Sequence, residues 1–90
     1  RVQWLHDHDD EPVELFSELD RERREIRKVE VYRDGTMGFA DGLRTVRGSV
    51  LGKVPVPLSE EILQDHRFRV LPTSREEFER VWAQAQANSE

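Results

Sequence analysis

Cysteine is absent from this 90-residue chain, and methionine occurs once. Without a thiol there is no disulfide framework, no thiolate nucleophile and no thiolate ligand for a metal. A reducing, cytoplasmic setting suits that composition. No apolar run approaches the ~20 residues that a membrane span requires, and no signal-peptide core is present. The chain opens at Arg1 rather than at a methionine, which is compatible with a trimmed start or a removed leader. Positive charge is in deficit: 14 Lys and Arg stand against 19 Asp and Glu, for a net charge of −5. Phosphate binding rests on clustered Lys and Arg, so the sequence predicts no nucleic-acid partner. Apolar residues also run short, at 36% against 37% charged, so the core must be lean and the surface densely ionic. That balance borders on disorder, yet two Trp, four Phe and regularly spaced Val and Leu predict one folded domain over residues 1–90.

The clearest pattern runs from Glu25 to Phe39. Val29, Val31 and Tyr32 favour a pleated backbone, and Asp34-Gly35 is the signal of a two-residue type I′ turn, which needs positive φ at both positions. The spacing therefore predicts a hairpin, with Val29 and Val31 on one face and Ile26, Lys28, Glu30 and Tyr32 on the other. Before it, alternation predicts a first strand over about residues 1–6, a polar loop from Asp7 to Pro12, and a second strand from Val13 to Leu19. In that strand Leu15-Phe16 is apolar on both faces. After the hairpin, Leu43, Val46, Val50 and Leu51 allow one more short strand, and Pro55 and Pro57 make an extended connector. Ser59-Glu60-Glu61 reads as a helix start, predicting a short helix to Asp65 that buries Ile62 and Leu63. Phe68, Val70 and Leu71 cross back as an extended segment. Ser74 and Glu77 form a capping box, and Phe78, Val81, Trp82 and Ala85 give one apolar stripe before a frayed end at Gln84, Gln86 and Asn88. The expected architecture is α+β: an antiparallel sheet of four to five strands with two helices, the C-terminal one packed on one face. Its expected core is Leu15, Leu19, Val29, Val31, Phe78, Val81 and Trp82. Trp4 reads as core; an exposed aromatic patch of Trp4, Phe16, Tyr32 and Phe39 is the alternative.

Chemistry is harder to find. His6 and His8 project from one face of a strand beside Asp7, Asp9, Asp10 and Glu11, a combination able to hold zinc, but no second ligand pair stands at metal spacing. A solvated acidic loop is the plainer reading. Arg21, Arg23, Arg24, Arg27 and Lys28 form the densest basic patch, yet Asp20, Glu22 and Glu25 interleave with it, and no glycine-rich phosphate loop or RNA-binding aromatic signature accompanies it. Gly48-Ser49-Val50-Leu51-Gly52 lacks the spacing of a nucleophile elbow, so Ser49 reads as a turn residue. A domain this small has little room for a walled pocket. The sequence thus predicts no cofactor, no catalytic residue and no small-molecule ligand.

Several blocks together are familiar: Trp4-Leu-His6, Asp10-Glu-Pro-Val13, Ser17-Glu-Leu-Asp20, Arg27-Lys-Val-Glu-Val-Tyr-Arg-Asp-Gly35, Leu51-Gly52, Pro55-Val-Pro57 and Glu77-Phe-Glu-Arg-Val-Trp82. Over nearly the whole chain they resemble a small bacterial family, mostly from actinomycetes, known as domain of unknown function 6881. The resemblance implies a bacterial, cytoplasmic setting and no activity, cofactor or catalytic residue. Small acidic domains of this kind are similar in size and charge to immunity proteins encoded beside toxins, an analogy only. The functional expectation is a non-enzymatic protein-binding module, in an immunity or regulatory role, that meets a basic protein partner through Asp7, Asp9, Asp10, Glu11, Glu14 and Glu18. The alternative is a metal-dependent enzyme or metal-stabilised domain built on His6 and His8.

Overall fold

The computed structural model describes residues 1–53 and 55–88. In chain order they form β1 (Val2–Trp4), β2 (Glu14–Leu19), β3 (Glu25–Val31), β4 (Met37–Ala40), β5 (Thr45–Val46), a short helix α1 (Ser59–Ile62), β6 (Phe68–Val70) and a long helix α2 (Arg75–Asn88). The strands make one antiparallel sheet in the order β5-β4-β3-β2-β1-β6. The α+β class and the C-terminal helix are as expected, but the sheet has six strands rather than four to five. The difference lies at Phe68–Val70, which pairs with β1 instead of merely crossing the sheet: Val2 lies opposite Val70 and Trp4 opposite Phe68.

One row of paired residues explains where α2 sits. Phe16 faces Val29, Val29 faces Phe39 and Phe39 faces Val46 across four neighbouring strands, so all four side chains share a face. The α2 stripe closes over that row, burying Phe78, Trp82 and Ala85 with Val81 partly covered. The Trp82 ring meets Phe39 edge-on at 5.1 Å, a favoured aromatic geometry. Burial of each such ring contributes about 1.5–3 kcal/mol. Ser74 begins the helix as expected, its hydroxyl accepting from the Glu77 N–H at 3.1 Å, with Glu76 and Glu77 at the positive end of the dipole. The last turns do not fray by Gln84: Ala85 is fully enclosed, and the Asn88 amide lies 3.4 Å from the Met37 sulfur.

Four local expectations are corrected. Phe16 takes the core position assigned to Leu15 and Leu19, which sit half-buried; Leu15 faces the opposite side of the sheet. Where a doublet is apolar on both faces, register decides, and here it turns the larger ring toward the helix. The hairpin turn is not type I′ at Asp34-Gly35, because only Gly35 has positive φ, at 89°. The Gly35 N–H donates to the Tyr32 carbonyl and the Tyr32 N–H to the Thr36 carbonyl, both at 2.9 Å, giving a three-residue loop ending in a left-handed glycine. Ser59 is not the cap of α1. Leu58 occupies that position without a side-chain bond, and the helix proper stops at Ile62, leaving Leu63 exposed. A hydroxyl already inside the first turn cannot reach back to cap it. Finally, Val50 and Leu51 form no strand. Arg47 and Gly48, with φ of 57° and 77°, carry the positive-φ pair that the other turn lacks, and they reverse the chain directly after β5.

That reversal folds Ser49 over the sheet face opposite α2. Gly38 accommodates it: a Cβ there would stand 3.0 Å from the Val46 carbonyl oxygen and 3.4 Å from the Cβ of Ser49. Further along, a bulge between β2 and β3 sets Leu19 opposite Glu25 and Glu18 opposite Arg27, leaving Ile26 as the extra residue. In a regular strand Glu25 and Lys28 would point to opposite faces. The bulge brings them together, Nζ to Oε1 at 3.1 Å, and Ser17 Oγ donates to the same carboxylate at 2.8 Å. Glu25 and Lys28 then hold the segment after β5 by its backbone, through the Gly52 N–H at 2.7 Å and the Val50 carbonyl at 3.0 Å.

The Gly38–Ser49 contact generates a prediction of opposite signs. Gly38→Ala should destabilise by about 1–3 kcal/mol, since the neighbour it meets is backbone. Ser49 is fully buried, and its hydroxyl has no hydrogen-bond partner among the described residues. Ser49→Ala should therefore be neutral or stabilising by up to about 1 kcal/mol. Urea unfolding of both variants measures this, and a marked loss for Ser49→Ala would mean that its hydroxyl is bonded after all.

Candidate functional site

The β1–β2 loop is short of regular structure but not of anchors. The His6 ring has a carbonyl acceptor on one side, Pro12 O at 2.7 Å from Nε2, and a backbone donor on the other, His8 N at 3.0 Å from Nδ1. A carbonyl only accepts and an amide N–H only donates, so Nε2 carries the proton and Nδ1 the lone pair. The ring also meets Trp4 edge-on at 4.4 Å and stacks near His8 at 5.6 Å. From β3's far end Arg33 reaches in, one Nη donating to the His6 carbonyl and the other lying 3.4 Å from Asp9 Oδ1. Pro12 is buried beneath. A hollow of about 540 Å³ lies beside the loop, bordered by Trp4, His6, Arg33, Asp7 and Glu14.

The expected acidic surface divides on this frame. Asp7, Asp9, Asp10 and Glu11 all lie exposed in the loop, and Asp9 alone of them has a cationic partner among the described residues. Glu11 is near enough to Tyr32 to help burial and Glu30 raise the phenol's pKa. Glu14 borders the same hollow as Asp7 but is engaged, accepting from Arg1 at 2.7 Å and Gln3 at 3.0 Å. Burial alone would raise its pKa; those bonds outweigh burial and lower it. Glu18 stands apart. Arg27 grips it with two bonds of 2.8 and 2.9 Å, also bonds Glu79 on α2, and lies 4.9 Å from the Phe78 ring centroid and 5.1 Å from that of Trp82. The Arg27 guanidinium holds the Glu18 carboxyl below the ordinary carboxylate range, and Glu79 likewise. Sequence reading missed Arg33 and the pairing of Glu18, because both depend on which strands become neighbours.

No group of three or more His, Asp or Glu side chains among the described residues is placed to hold a metal ion. Both nitrogens of His6 are already bonded, so a metal there must displace a carbonyl or an amide. Adding zinc or a chelator is therefore expected to leave the melting temperature unchanged. A rise with zinc reversed by chelator would mean a native site, since a ligand of the folded state adds stability.

The opposite sheet face carries a second concavity. It is about 470 Å³ in volume, walled by Val2, Leu15, Val56, Pro57, Ile62 and Phe68, with Ser17 and Glu25 among its lining. Arg23, left-handed at φ 64°, fastens one wall: its side chain donates to the carbonyls of Val56 at 2.9 Å and Pro57 at 2.8 Å, and its own carbonyl accepts from Val56 N at 2.7 Å.

The lowered carboxylates fix the direction of acid sensitivity. Glu18, Glu14 and Glu79 have folded pKa values below their unfolded ones, and Arg67 draws Asp65 down to about 2. Their stabilisation is fully present above the unfolded value of about 4 and is lost as pH falls through that value and then the folded one. Melting temperature should be level near neutrality and drop below about pH 5. Glu18→Gln should melt lower than the parent at pH 7, with the gap shrinking in acid. A gap constant down to about pH 2 would remove Glu18 from this linkage.

No helix among the described residues is long and apolar enough to cross a membrane. No curated protein matches the chain, and no solved structure matches it. A family match does exist, and it spans residues 1–87. The chain belongs to the DUF6881 family, a domain of unknown function.

Proposed function

We propose that this chain is a non-enzymatic protein-binding module that meets a basic protein partner through the loop acids Asp7, Asp9, Asp10 and Glu11, with Glu14 at the margin of that surface. The observation that carries this reading is the contrast in how carboxylates are used. Glu14, Glu18, Glu25, Asp65 and Glu79 are bound to cations within the fold, whereas Asp7, Asp10 and Glu11 stand exposed with no hydrogen bond or ion pair to their carboxylates among the described residues. The His6 and Arg33 anchors support it further, because charges held on a fixed loop lose less freedom on association. Such a surface raises the rate of encounter with a basic partner more than it raises affinity. Glu18 lies outside that surface, its charge offset by Arg27.

A basic toxin is one partner of this description, which would make the chain an immunity protein in a bacterial cytoplasm; a regulatory target of the same charge is the other. The metal reading on His6 and His8 has no geometry in its favour, since both His6 nitrogens are engaged. Affinity capture from the native host, followed by binding kinetics on the purified partner, is the test. Neutralising Asp7, Asp9, Asp10 and Glu11 together to Asn and Gln should slow association about tenfold or more at low salt, with the difference fading near 1 M salt. Glu18→Gln should leave association nearly unchanged. A complex indifferent both to salt and to the four neutralisations would overturn the reading.

A further inference from the structure

A sheet has two edges, and here they end differently. At one edge β5 is two residues long, and the chain reverses directly after it at Arg47-Gly48. At the other edge lies β6, and no described element continues the sheet beyond it. The pairing of β6 to β1 fixes which of its backbone groups point outward. Leu71 N donates to the Arg1 carbonyl at 2.8 Å, and Leu5 N to the Arg67 carbonyl at 2.6 Å. Val2 stands opposite Val70, Gln3 opposite Arg69 and Trp4 opposite Phe68. Bonded and non-bonded pairs alternate along an antiparallel ladder, so Arg67, Arg69 and Leu71 bond inward while Phe68 and Val70 turn outward. The Phe68 N–H is taken by the Asp65 carbonyl at 3.1 Å. The Phe68 carbonyl and both backbone groups of Val70 have no partner among the described residues. We propose that this edge receives an extended segment of a protein partner, paired antiparallel as an added strand, with an acid opposite Arg69 and an apolar residue on either side of that acid.

The side chains of β6 select the occupant. Arg69 is exposed and has no hydrogen bond or ion pair among the described residues. Beside it on the same face, Gln3 is neutral, Arg67 is already bound to Asp65, and Arg1 is bound to Glu14. An acid in the added strand, directly opposite Arg69, meets a charge that the fold leaves unmatched. Phe68 and Val70 point to the other face, where α1 lies. Leu63 shares a compartment with Val70 there and is 55% exposed, so apolar residues opposite Phe68 and Val70 extend that cover. A second copy of this chain fits poorly. Two-fold registers centred on Phe68, Arg69 and Val70 place Arg69 opposite Arg67, Arg69 opposite itself, and Phe68 opposite Pro72, which has no N–H to give. A charge on an open edge guards against self-pairing in this way, and an acidic partner strand turns the same charge to advantage. Main-chain bonds over so short an edge give modest affinity, and the side chains set the specificity. The edge is independent of the acidic loop, since it uses backbone groups of β6 and a cation. Phe68, Val70 and Leu71 were expected only to cross the sheet, and an edge becomes visible once β6 is known to pair with β1.

An end-capped peptide, Ser-Thr-Val-Glu-Val-Thr-Ser, titrated into the isotope-labelled chain and followed by amide chemical shifts, tests the proposal. Saturable shifts should centre on residues 67–71, with the Val70 amide moving most. Lys in place of the peptide's Glu should weaken binding about fivefold. N-methylation of the peptide's two valines removes the donors that meet the Phe68 and Val70 carbonyls, and should abolish the shifts. Arg69→Gln changes an exposed position, and a melting curve verifies that it folds; in this variant the Glu and Lys peptides should bind alike. Sedimentation of the chain alone should show a monomer. The absence of any saturable shift, or shifts centred on residues 7–11, would overturn the proposal. So would binding that survives N-methylation, or a Glu preference intact in Arg69→Gln. Dimerisation of the chain alone with protection of the Val70 amide would overturn it too, by making a second copy the occupant.

Discussion

A six-stranded sheet has two faces to cover, and this chain brings one long helix. The helix covers β2 to β4 on one side, where Phe16, Val29 and Phe39 line up in register. Apolar burial supplies the drive, but it does not fix the angle or height at which a stripe of three or four side chains lands. Arg27 supplies that positional information. Its guanidinium bonds Glu18 on the next strand and Glu79 on the helix while covering the rings of Phe78 and Trp82. A planar, permanently charged fork can bond carboxylates in its plane and stack on rings with its face, which lysine cannot do. Pairs of this exposure contribute little singly, and the weight here comes from several contacts meeting at one group.

The other face is covered without a helix of comparable length. After β5 the chain doubles back at Arg47-Gly48, lays Ser49 on Gly38 and then runs across the sheet with few backbone bonds to strands. Charged side chains take over the work of a ladder: Lys28 and Arg23 donate to carbonyls, and Glu25 accepts from an amide. Proline at 55 and 57 makes this arrangement reasonable, since a segment with missing N–H groups pairs poorly as a strand but keeps its carbonyl acceptors. A four-residue helix without a side-chain cap completes the cover. A face closed this way is less tightly filled than one closed by an amphipathic helix, and the trough is what remains.

How much of this was legible in the chain follows from the range of each signal. The α2 stripe at Phe78, Val81, Trp82 and Ala85, and the Ser74 cap, depend on residues within a few positions of one another, and both were readable. The class and the hairpin were readable for the same reason. Phe16 was not separable from Leu15, because both are apolar neighbours and only pairing with Val29 decides between them. The sixth strand, the bulge at Ile26 and the Glu25–Lys28 pair depend on partners distant in sequence or on an irregularity with no local signature. Asp34-Gly35 shows a subtler failure. The dipeptide was read correctly as a turn, but one residue on either side changes the loop length and with it the φ each position needs. In the candidate site, exposure of Asp7, Asp9, Asp10 and Glu11 was legible from composition. The neutralisation of Glu14 and Glu18 was not, being a property of neighbours in space.

Net charge is therefore a poor guide to where this molecule is electrostatically active. Nineteen acids and fourteen bases suggest a diffuse negative surface, yet many of the bases are bound to acids inside the architecture. Arg1, Arg27, Lys28 and Arg67 each neutralise a carboxylate that a sequence count would leave free. What survives as field is set by the acids that the fold does not engage, and among the described residues these include Asp7, Asp10 and Glu11 of the β1–β2 loop, Glu30, Glu76, and Glu60 and Glu61 of α1. The loop acids stand in solvent, whereas Glu61 borders an apolar trough. The same charge acts differently in the two settings. On a loop in water it acts at range and is screened within about 10 Å at 0.1 M salt. Beside an apolar wall, with water kept from one side, it is screened less.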